Sequence, residues 1–329
     1  MTTTRTTASL PQTTWQSVRV GAKTSRLEQH PLPHLGRNDV LIRVRVCGVC
    51  ASELHPWSHA ATPKTFGHEV VGEVVAVGKD VTGFEPSMRV TGLIHQGFAE
   101  YTIAPATHLV HVPEGLPDEA ALGEPLSCVI SGMRRTGIEL GDQVAVIGVG
   151  FMGLLSLQAA VLKGPSEVIA VDSRPVALEQ ALTYGANRTF KPEDIPPEMY
   201  LDVWDEMALG NGLNIVIEAA GNPHALALAG RMVKAHGTLA IVGFHQGEPI
   251  PINMGLWNWK ALNVINAHER RHAYQMDCMT RGLRLVEAGK LQLAPLVTHS
   301  FSLQEVDAAF DTLMNKPADF IKAIIRVSD

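Results

Sequence analysis

Residues 144–172 of this 329-residue chain read VAVIGVGFMGLLSLQAAVLKGPSEVIAVD. A run of β-type residues leads into the pattern Gly148-x-Gly150-x-x-Gly153, and an apolar helical segment and a second β-type run ending on Asp172 follow. Gly148 permits a tight turn from strand to helix, Gly150 lets the backbone approach a diphosphate, and Gly153 lets the helix pack closely on the sheet. The free N–H groups at the start of that helix can bind phosphate. The stretch therefore predicts a dinucleotide-binding βαβ unit.

The acidic residue at the end of the second strand bears on the choice of dinucleotide. Asp172 lies 19 residues after Gly153, where the motif places a carboxylate that accepts hydrogen bonds from the adenosine ribose. Arg174 could accommodate a 2′-phosphate, but the charge of Asp172 repels one, so NAD is expected rather than NADP. The predicted cofactor-binding residues of this unit are Gly148, Gly150, Phe151, Met152, Gly153, Asp172, Ser173 and Arg174.

The composition fits a globular protein and excludes several other classes. The chain is 46% hydrophobic and 18% charged, and its net charge of −6 argues against a nucleic-acid partner. No run of 18 apolar residues is present, so no membrane span is expected. The four cysteines are too few and too irregularly spaced for a disulfide framework, which favours a reducing, cytoplasmic location.

The pattern of hydrophobic residues changes along the chain. Residues 17–112 are rich in Val, Gly and Pro and predict an all-β, barrel-like segment with strands near 40–46, 69–77 and 98–103. From about Ser127, strands and helices alternate, which predicts a parallel doubly wound sheet. Its strands are expected near 143–147, 168–172, 213–218, 238–242 and 262–266, and its helices near 151–162, 175–184 and 223–235. A long helix at about 271–289, a strand, a helix at 303–314 and a strand at 320–326 complete the chain.

A second cluster of functional residue types lies in the β-rich part. Cys50 is followed 18 residues later by His68, and two glutamates, Glu69 and Glu124, come after it. A catalytic zinc ion needs three protein ligands from Cys, His and carboxylate, with a fourth position open. Each residue alone has a structural interpretation, as a small core residue, a core histidine or a surface acid. Together, upstream of a nucleotide fold, they favour a metal site.

Longer motifs around these residues carry a family resemblance. The segment 48–55 reads GVCASELH and is followed by Trp57, residues 67–69 read GHE, and residues 124–127 read EPLS. With the phosphate loop, these motifs resemble the zinc-dependent medium-chain dehydrogenases, and within them the polyol (sorbitol-type) and threonine dehydrogenases most closely.

The resemblance implies a divided α/β architecture. A GroES-like β-rich catalytic domain would use residues 1–127 and 268–329, and a Rossmann NAD-binding domain would use residues 128–267. The active site would lie in the cleft at the carboxyl ends of the parallel strands. The apolar segment 251–267 leads into the edge strand of that sheet, which relatives pair across a two-fold axis, so a homodimer or homotetramer is expected. Alternatively, Trp257 and Trp259 pack inward against the catalytic domain.

The chain departs from the family pattern at several positions. A cysteine-free segment, 88–97, replaces the lobe that holds a structural zinc in many members, so one catalytic zinc per chain and no structural zinc are expected. Glu53 stands where the family has an aspartate that supports the imidazole of a metal ligand. Ala51 stands where some alcohol dehydrogenases have a basic residue on the diphosphate, and Lys322 matches a family position that can make that contact.

The resemblance also implies a mechanism. Zinc on Cys50 and His68, completed by Glu69 or Glu124, would lower the pKa of a substrate hydroxyl. Ser52 would accept the proton and pass it through the nicotinamide ribose to His55, and NAD would take the hydride. The expected catalytic residues are thus Ser52, His55 and Glu69, although Ser52 could be a turn residue and His55 a surface histidine.

Several substrates and one non-catalytic function remain open. A polyol, a similar sugar-derived alcohol and a 3-hydroxy amino acid are all compatible with a small-molecule alcohol or ketone site. The fold is also used to bind a nicotinamide nucleotide without turnover.

Other polar residues have structural interpretations. Cys47 and Cys50 form a C-x-x-C pair, but on a strand they point to opposite faces, so Cys47 is expected in the core. Cys128 and Cys278 are expected to pack in helices, and the basic cluster at 268–272 is interpreted as a solvated loop.

Overall fold

The computed structural model describes residues 11–59 and 63–328. Its strands are β1 (Thr13–Gly21), β2 (Thr24–Pro31), β3 (Asp39–Gly48), β4 (Lys64–Thr65), β5 (Glu69–Val77), β6 (Arg89–Gly92), β7 (Tyr101–Pro105), β8 (Leu109–His111), β9 (Gln143–Ile147), β10 (Glu167–Val171), β11 (Arg188–Phe190), β12 (Leu213–Glu218), β13 (Val233–Ile241), β14 (Asn263–Asn266), β15 (Val297–Ser302) and β16 (Lys322–Arg326). Its α-helices are α1 (Leu54–Ser58), α2 (Gly123–Arg135), α3 (Phe151–Val161), α4 (Pro175–Thr183), α5 (Trp204–Ala208), α6 (Pro223–Met232), α7 (Met254–Trp259), α8 (His272–Glu287) and α9 (Val306–Asn315).

The predicted doubly wound sheet is present. Its six strands run in the order β11-β10-β9-β12-β13-β14, and every pair is parallel. Numbered within the sheet, this is the order 3-2-1-4-5-6 of dinucleotide-binding folds. The central strands are buried on both faces, which is why they appear in the sequence as continuous apolar runs.

The glycines of the phosphate loop have the geometry that the motif predicts. Gly148 adopts φ +83°, a left-handed conformation that glycine accommodates without strain. A Cβ atom on Gly153 would overlap with the carbonyl oxygen of Gly148. Any other residue at position 153 would therefore push α3 away from the end of β9.

The β-rich part forms a seven-stranded sheet in the order β15-β16-β3-β5-β6-β8, with β7 also paired to β3. The C-terminal strand β16 runs antiparallel to β3, with Ile324 opposite Gly48. This pairing brings the C-terminal segment next to the turn that carries Cys50. A three-stranded sheet, β2-β1-β4, lies beside it.

The sequence-based boundaries need some corrections. The segment predicted as all-β contains the short helix α1. The strand predicted at 98–103 begins only at Tyr101, as β7, because Ala99 before it forms only an isolated bridge to Gln16. The helix predicted to end at residue 235 ends at Met232, where the backbone of Val233 turns extended and begins β13. No helix within residues 11–59 and 63–328 is both long enough and apolar enough to cross a membrane.

Candidate active site

Three side chains predicted as metal ligands lie together at the start of the seven-stranded sheet. Cys50 follows β3, His68 precedes β5, and Glu69 is the first residue of β5, which pairs with the end of β3. Their ligand atoms all lie within 4.8 Å of one another. Sulfur, imidazole nitrogen and carboxylate oxygen are the donor types of catalytic zinc sites, and three protein donors leave one position open. The three residues, called the metal group below, therefore fit a zinc ion.

Glu53 holds the imidazole of His68 in place. Its Oε1 accepts a hydrogen bond from the backbone N–H of Gly67 at 2.8 Å and lies 3.2 Å from Nδ1 of His68. The longer side chain thus reaches the position expected of the family's aspartate, and it leaves Nε2 available for a metal. Burial alone would lower the pKa of His68, but the Cys50 sulfur and the Glu53 carboxylate raise it to about 12. The imidazole therefore lies where a positive charge is favoured.

Lys322 lies against the carboxylate of the third candidate ligand. Its Nζ is 2.5 Å from Oε2 of Glu69 and donates to the carbonyl oxygen of Val49 at 3.0 Å. The amine also lies 4.5 Å from the ring centroid of Phe151 at the start of α3. Both charged side chains are almost fully buried. The structure thus places this lysine at the junction of the metal group and the nucleotide loop.

Glu124 lies farther from the metal group than Glu69 does. It is in the first turn of α2, where its Oε1 accepts a hydrogen bond from Sγ of Cys128 at 3.3 Å. Burial raises the pKa of the Glu124 carboxyl, and the acidic Glu69 nearby raises it further. Within the described residues, the group of clustered ligand atoms includes Glu69 but not Glu124.

The two residues predicted to relay the proton lie in different surroundings. Ser52 Oγ donates to Sγ of Cys50 at 3.2 Å, and Ser52 lines the same cavity as the metal group. His55 is exposed in α1, where its ring stacks on that of His59 with centroids 4.4 Å apart. The structure therefore brings Ser52 to the site and leaves His55 on the solvent side.

One cavity of about 340 Å³ joins the metal group to the phosphate loop. Cys50, His68, Glu69 and Glu124 line it, as do five of the predicted cofactor-binding residues, Gly150, Phe151, Met152, Arg174 and Lys322. Gly148 and Gly153 shape the turn, and Ser173 is exposed beside the loop. The carboxylate of Asp172 accepts hydrogen bonds from the backbone N–H groups of Val149 at 2.9 Å and Arg174 at 2.9 Å.

Several lining residues were not predicted from the sequence. Cys128, interpreted as a packing residue, lines the cavity, as do His268 and Arg270 of the cluster interpreted as a solvated loop. Cys128 could have been found from its spacing, because it lies one helical turn after Glu124. Phe244 and Lys316 also line the cavity and come from segments without a motif. Cys47 is fully buried in the core, as expected.

A parallel nucleotide-binding sheet and a β-rich sheet, with a Cys-His-Glu group on the cavity that joins them, define an alcohol-dehydrogenase type of protein. The family model for the alcohol dehydrogenase GroES-like domain matches residues 36–114, and that for zinc-binding dehydrogenases matches residues 152–281. The chain belongs to the zinc-type medium-chain dehydrogenase superfamily.

Named relatives include both enzyme types that the motifs resemble. The L-threonine 3-dehydrogenase of Alteromonas mediterranea is 27% identical over 87% of this chain and 92% of the relative. The sorbitol dehydrogenase of Halalkalibacterium halodurans is 28% identical over 92% of this chain and 96% of the relative. A zinc-binding dehydrogenase structure from Sinorhizobium meliloti 1021, bound to NADP, superposes with a TM-score of 0.82 at 25% identity, covering 96% of this chain and all of that one.

Proposed function

We propose that this protein is a zinc-dependent oxidoreductase that transfers a hydride between a secondary alcohol, such as a polyol or sugar-derived alcohol, and NAD. One observation carries the proposal: the Cys50-His68-Glu69 group and the phosphate loop line the same cavity. A pure nucleotide-binding protein would need only the loop. The metal group supplies what an alcohol oxidation additionally requires, a place for the reacting hydroxyl.

The proposed metal ligands are Cys50, His68 and Glu69. Their donor atoms lie within 4.8 Å of one another, which supports Glu69 over Glu124 as the third ligand. A zinc ion held by them would act as a Lewis acid that lowers the pKa of a substrate hydroxyl. Glu124 then lines the cavity without binding the metal.

Ser52 is proposed to relay the proton of the substrate hydroxyl: its oxygen would accept that proton as its own hydroxyl proton passes on toward His55. Its hydroxyl oxygen lies 3.2 Å from Sγ of Cys50, and Ser52 lines the cavity. It is therefore close to a substrate hydroxyl bound next to Cys50. His55 would release the proton to solvent, since it is exposed one helical turn farther along the chain. A bound nicotinamide ring would accept the hydride, and the protein would align it.

NAD is the proposed cofactor. The carboxylate of Asp172 is fixed by two backbone N–H groups at the end of β10, next to the phosphate loop, and its charge disfavours a 2′-phosphate. The guanidinium of Arg174 acts in the other direction, because its Nε lies 3.4 Å from Oδ1 of Asp172 and partly neutralises that charge. The similar S. meliloti structure holds NADP, so both dinucleotides belong in the test.

The proposed domain division follows the sequence. Residues 1–127 and 268–329 form the catalytic domain, and residues 128–267 form the cofactor domain. The antiparallel pairing of β16 with β3 supports assigning the C-terminal segment to the catalytic part.

The direct test is a panel of secondary alcohols and polyols with NAD and with NADP, followed by the absorbance of the reduced cofactor. Turnover of a polyol or sugar-derived alcohol with NAD is expected. Tight binding of a reduced nucleotide without turnover of any alcohol would instead indicate a binding protein.

A 3-hydroxy amino acid is the second candidate substrate. Arg270 lines the cavity and could bind a substrate carboxylate, and the relatives include L-threonine 3-dehydrogenase. L-Threonine therefore belongs in the panel. Turnover of L-threonine in preference to polyols, with loss of that preference in Arg270→Gln, would establish this alternative.

A further inference from the structure

The short helix α1 is fixed to the body of the protein by one side of its turn. Trp57 is fully buried there, its indole Nε1 donates to Oδ1 of Asp307 at 2.8 Å, and its ring stacks on that of Phe310. Arg19 donates to the carbonyl oxygen of Pro56 at 2.6 Å. Because successive helical residues are rotated by about 100°, the residues two positions before and after the tryptophan face away from these contacts.

Two histidines occupy that outer side, His55 and His59, and both are exposed. The backbone N–H of His59 donates to the carbonyl oxygen of His55 at 3.1 Å, so the four-residue spacing is that of an α-helical turn. Residues at this spacing are neighbours on one helical face. The two rings stack with centroids 4.4 Å apart. A fixed turn thus presents two imidazoles side by side to solvent.

The hydrogen bonds of the two rings leave nitrogen lone pairs available. Nδ1 of His59 lies 3.1 Å from the carbonyl oxygen of His55, and because a carbonyl only accepts, Nδ1 carries the proton and Nε2 of the neutral ring carries the lone pair. Neither ring nitrogen of His55 has a hydrogen-bond partner within residues 11–59 and 63–328. A ring nitrogen that donates to a carbonyl while the other stays free is typical of metal-bound histidines.

The spacing of the pair suits one divalent transition-metal ion. Zinc binds an imidazole nitrogen at about 2 Å, so a single ion reaches two donors that lie up to about 4 Å apart. Small rotations of the two exposed side chains bring the ring nitrogens to that separation. Two histidines four positions apart on one helical face also bind zinc in the H-E-x-x-H motif. Imidazole is a ligand for Zn²⁺, Ni²⁺ and Cu²⁺, whereas Mg²⁺ and Ca²⁺ prefer oxygen.

The histidine pair offers fewer donors than the metal group. Among residues 11–59 and 63–328, the three donors that lie together belong to Cys50, His68 and Glu69, so an ion on the histidine pair would complete its coordination with water. The two imidazoles bind as neutral ligands from an exposed surface. Such an ion would exchange with solvent and be removed by dialysis, unlike the zinc ion proposed for the metal group.

We propose that His55 and His59 form an exchangeable site for a second divalent transition-metal ion, and that an ion bound there blocks proton release. The second part rests on the proposed function, in which His55 passes the proton of the substrate hydroxyl to solvent. A histidine nitrogen whose lone pair binds a metal ion cannot accept a proton. Zinc would thus support turnover at the metal group and inhibit it at the histidine pair.

The first experiment measures metal binding without reference to turnover. Tag-free protein, dialysed against metal-free buffer, is titrated with Ni²⁺ in a calorimeter. The wild-type protein should bind Ni²⁺ at this pair, and His55→Gln and His59→Gln should each raise Kd about tenfold, because one of two protein ligands is lost. His34→Gln removes an exposed histidine of the loop between β2 and β3, and it should leave Kd unchanged.

The second experiment measures inhibition by added Zn²⁺. Excess Zn²⁺ should lower the turnover of the wild-type protein, and His59→Gln should need about tenfold more Zn²⁺ for the same inhibition. Turnover of His59→Gln without added metal should equal that of the wild type. His59→Phe keeps an aromatic ring next to His55 but offers no ligand, and it should resist Zn²⁺ as His59→Gln does.

Equal Ni²⁺ affinity in the wild type, His55→Gln and His59→Gln would overturn the metal site. Equal inhibition of the wild type and His59→Gln by Zn²⁺ would overturn its link to proton release. A wild-type protein that turns over no alcohol would overturn the proposed function and this link with it, and the Ni²⁺ titration would still decide whether the pair binds a metal ion.

Discussion

The candidate zinc group lies among acidic side chains that need compensating positive charge. Two of its members, Cys50 and Glu69, can carry negative charge, Glu53 lies beside its His68, and Lys322 is the buried cation next to Glu69. Burial alone would lower the pKa of Lys322, but Glu69 and Cys50 more than offset this and raise it. A bound divalent cation would neutralise the remaining negative charge. Removing one partner of a buried ion pair at this site should therefore destabilise the fold.

The two candidate glutamate ligands can be separated by a pair of matched substitutions. Glu69→Gln should lose bound zinc, whereas Glu124→Gln should retain it, because only Glu69 lies within 4.8 Å of both other donors. Metal analysis after dialysis measures the difference. The reverse order of zinc retention would assign Glu124 as the ligand.

Glu69→Gln needs a control for folding. The substitution leaves the buried amine of Lys322 unpaired and should cost about 3 kcal/mol of unfolding free energy. The double variant Glu69→Gln/Lys322→Met removes both charges and should recover much of that loss in a urea titration without recovering zinc. Recovery of zinc in the double variant would show that Glu69 acts only through folding.

Ser52 is expected to matter for turnover rather than for metal binding. Ser52→Ala should lower kcat about a hundredfold with zinc content unchanged, since a positioned proton-transfer group typically raises the rate by at least a factor of about 100. Ser52→Thr keeps a hydroxyl at the same position and should retain most of the activity. An unchanged kcat in Ser52→Ala would show that Ser52 has only a structural role in its turn.

The secondary structure elements of the nucleotide-binding sheet were predictable because their signals are local. β9 and β12 begin and end at the residues expected from their buried apolar runs, and Gly148 marks the turn into α3. The helix α2 was predicted only through Cys128, which was expected to pack in a helix, and its start was not recognised because its first turn reads Gly-Glu-Pro-Leu and was interpreted only as a motif. The short helices α5 and α7 have too few residues for a helical repeat to stand out.

The site was predictable where a motif brings residue types together, and not where tertiary structure does. Cys50, His68 and Glu69 carry such motifs, and β3 and β5 bring them into one group. Lys316 and Phe244 reach the cavity from distant loops, and no local pattern marks them. The position of Lys316 depends on how the C-terminal segment returns to β3, and that of Phe244 depends on the loop after β13.

The start of α8 offers a pH-dependent test at the level of one element. Glu269 accepts hydrogen bonds from the side chain and backbone N–H of Arg271 and from the N–H of Arg270, and these lower its pKa from 4.5 to about 2. A carboxyl with a lowered pKa stabilises the fold above its unfolded value of 4.5, and this contribution is lost as the pH falls toward 2.

Glu269→Gln should therefore lower the unfolding free energy by about 1 kcal/mol at pH 6 and by less at pH 3.5. The loss at pH 6 is small because the partner Arg271 is exposed and solvent screens its charge. Urea titrations at the two pH values measure this. Glu193→Gln, an exposed acid on another turn, should show no such difference. A constant cost of Glu269→Gln at both pH values would contradict the account.

At the scale of the whole molecule, the edge of the nucleotide-binding sheet bears on assembly. β14 is the last strand of that sheet in the described part of the chain, and Val264 on it is 43% exposed. Trp257 does not contribute to that edge, because it is buried against Gly230 of α6, and Trp259 packs against Trp204. Both tryptophans thus pack on the cofactor side rather than against the catalytic part.

We expect β14 to pair with β14 of a second copy, giving a dimer that can associate further into a tetramer, because an exposed strand edge is normally covered. Light scattering at micromolar concentration should give at least twice the chain mass of 35.5 kDa. Val264→Lys at the centre of that edge should shift the mass toward a single chain. A wild-type mass near 35.5 kDa would refute the dimer.

The central claim is that one catalytic zinc ion is bound through Cys50 and His68. Metal analysis of the purified protein tests it most directly, combined with activity and nucleotide binding of Cys50→Ser and His68→Ala. The account predicts about one zinc per chain, and it predicts that each variant loses zinc and turnover while it keeps its fold and its affinity for NADH. Two zinc ions per chain, none after refolding with zinc, or turnover that survives either substitution would contradict it.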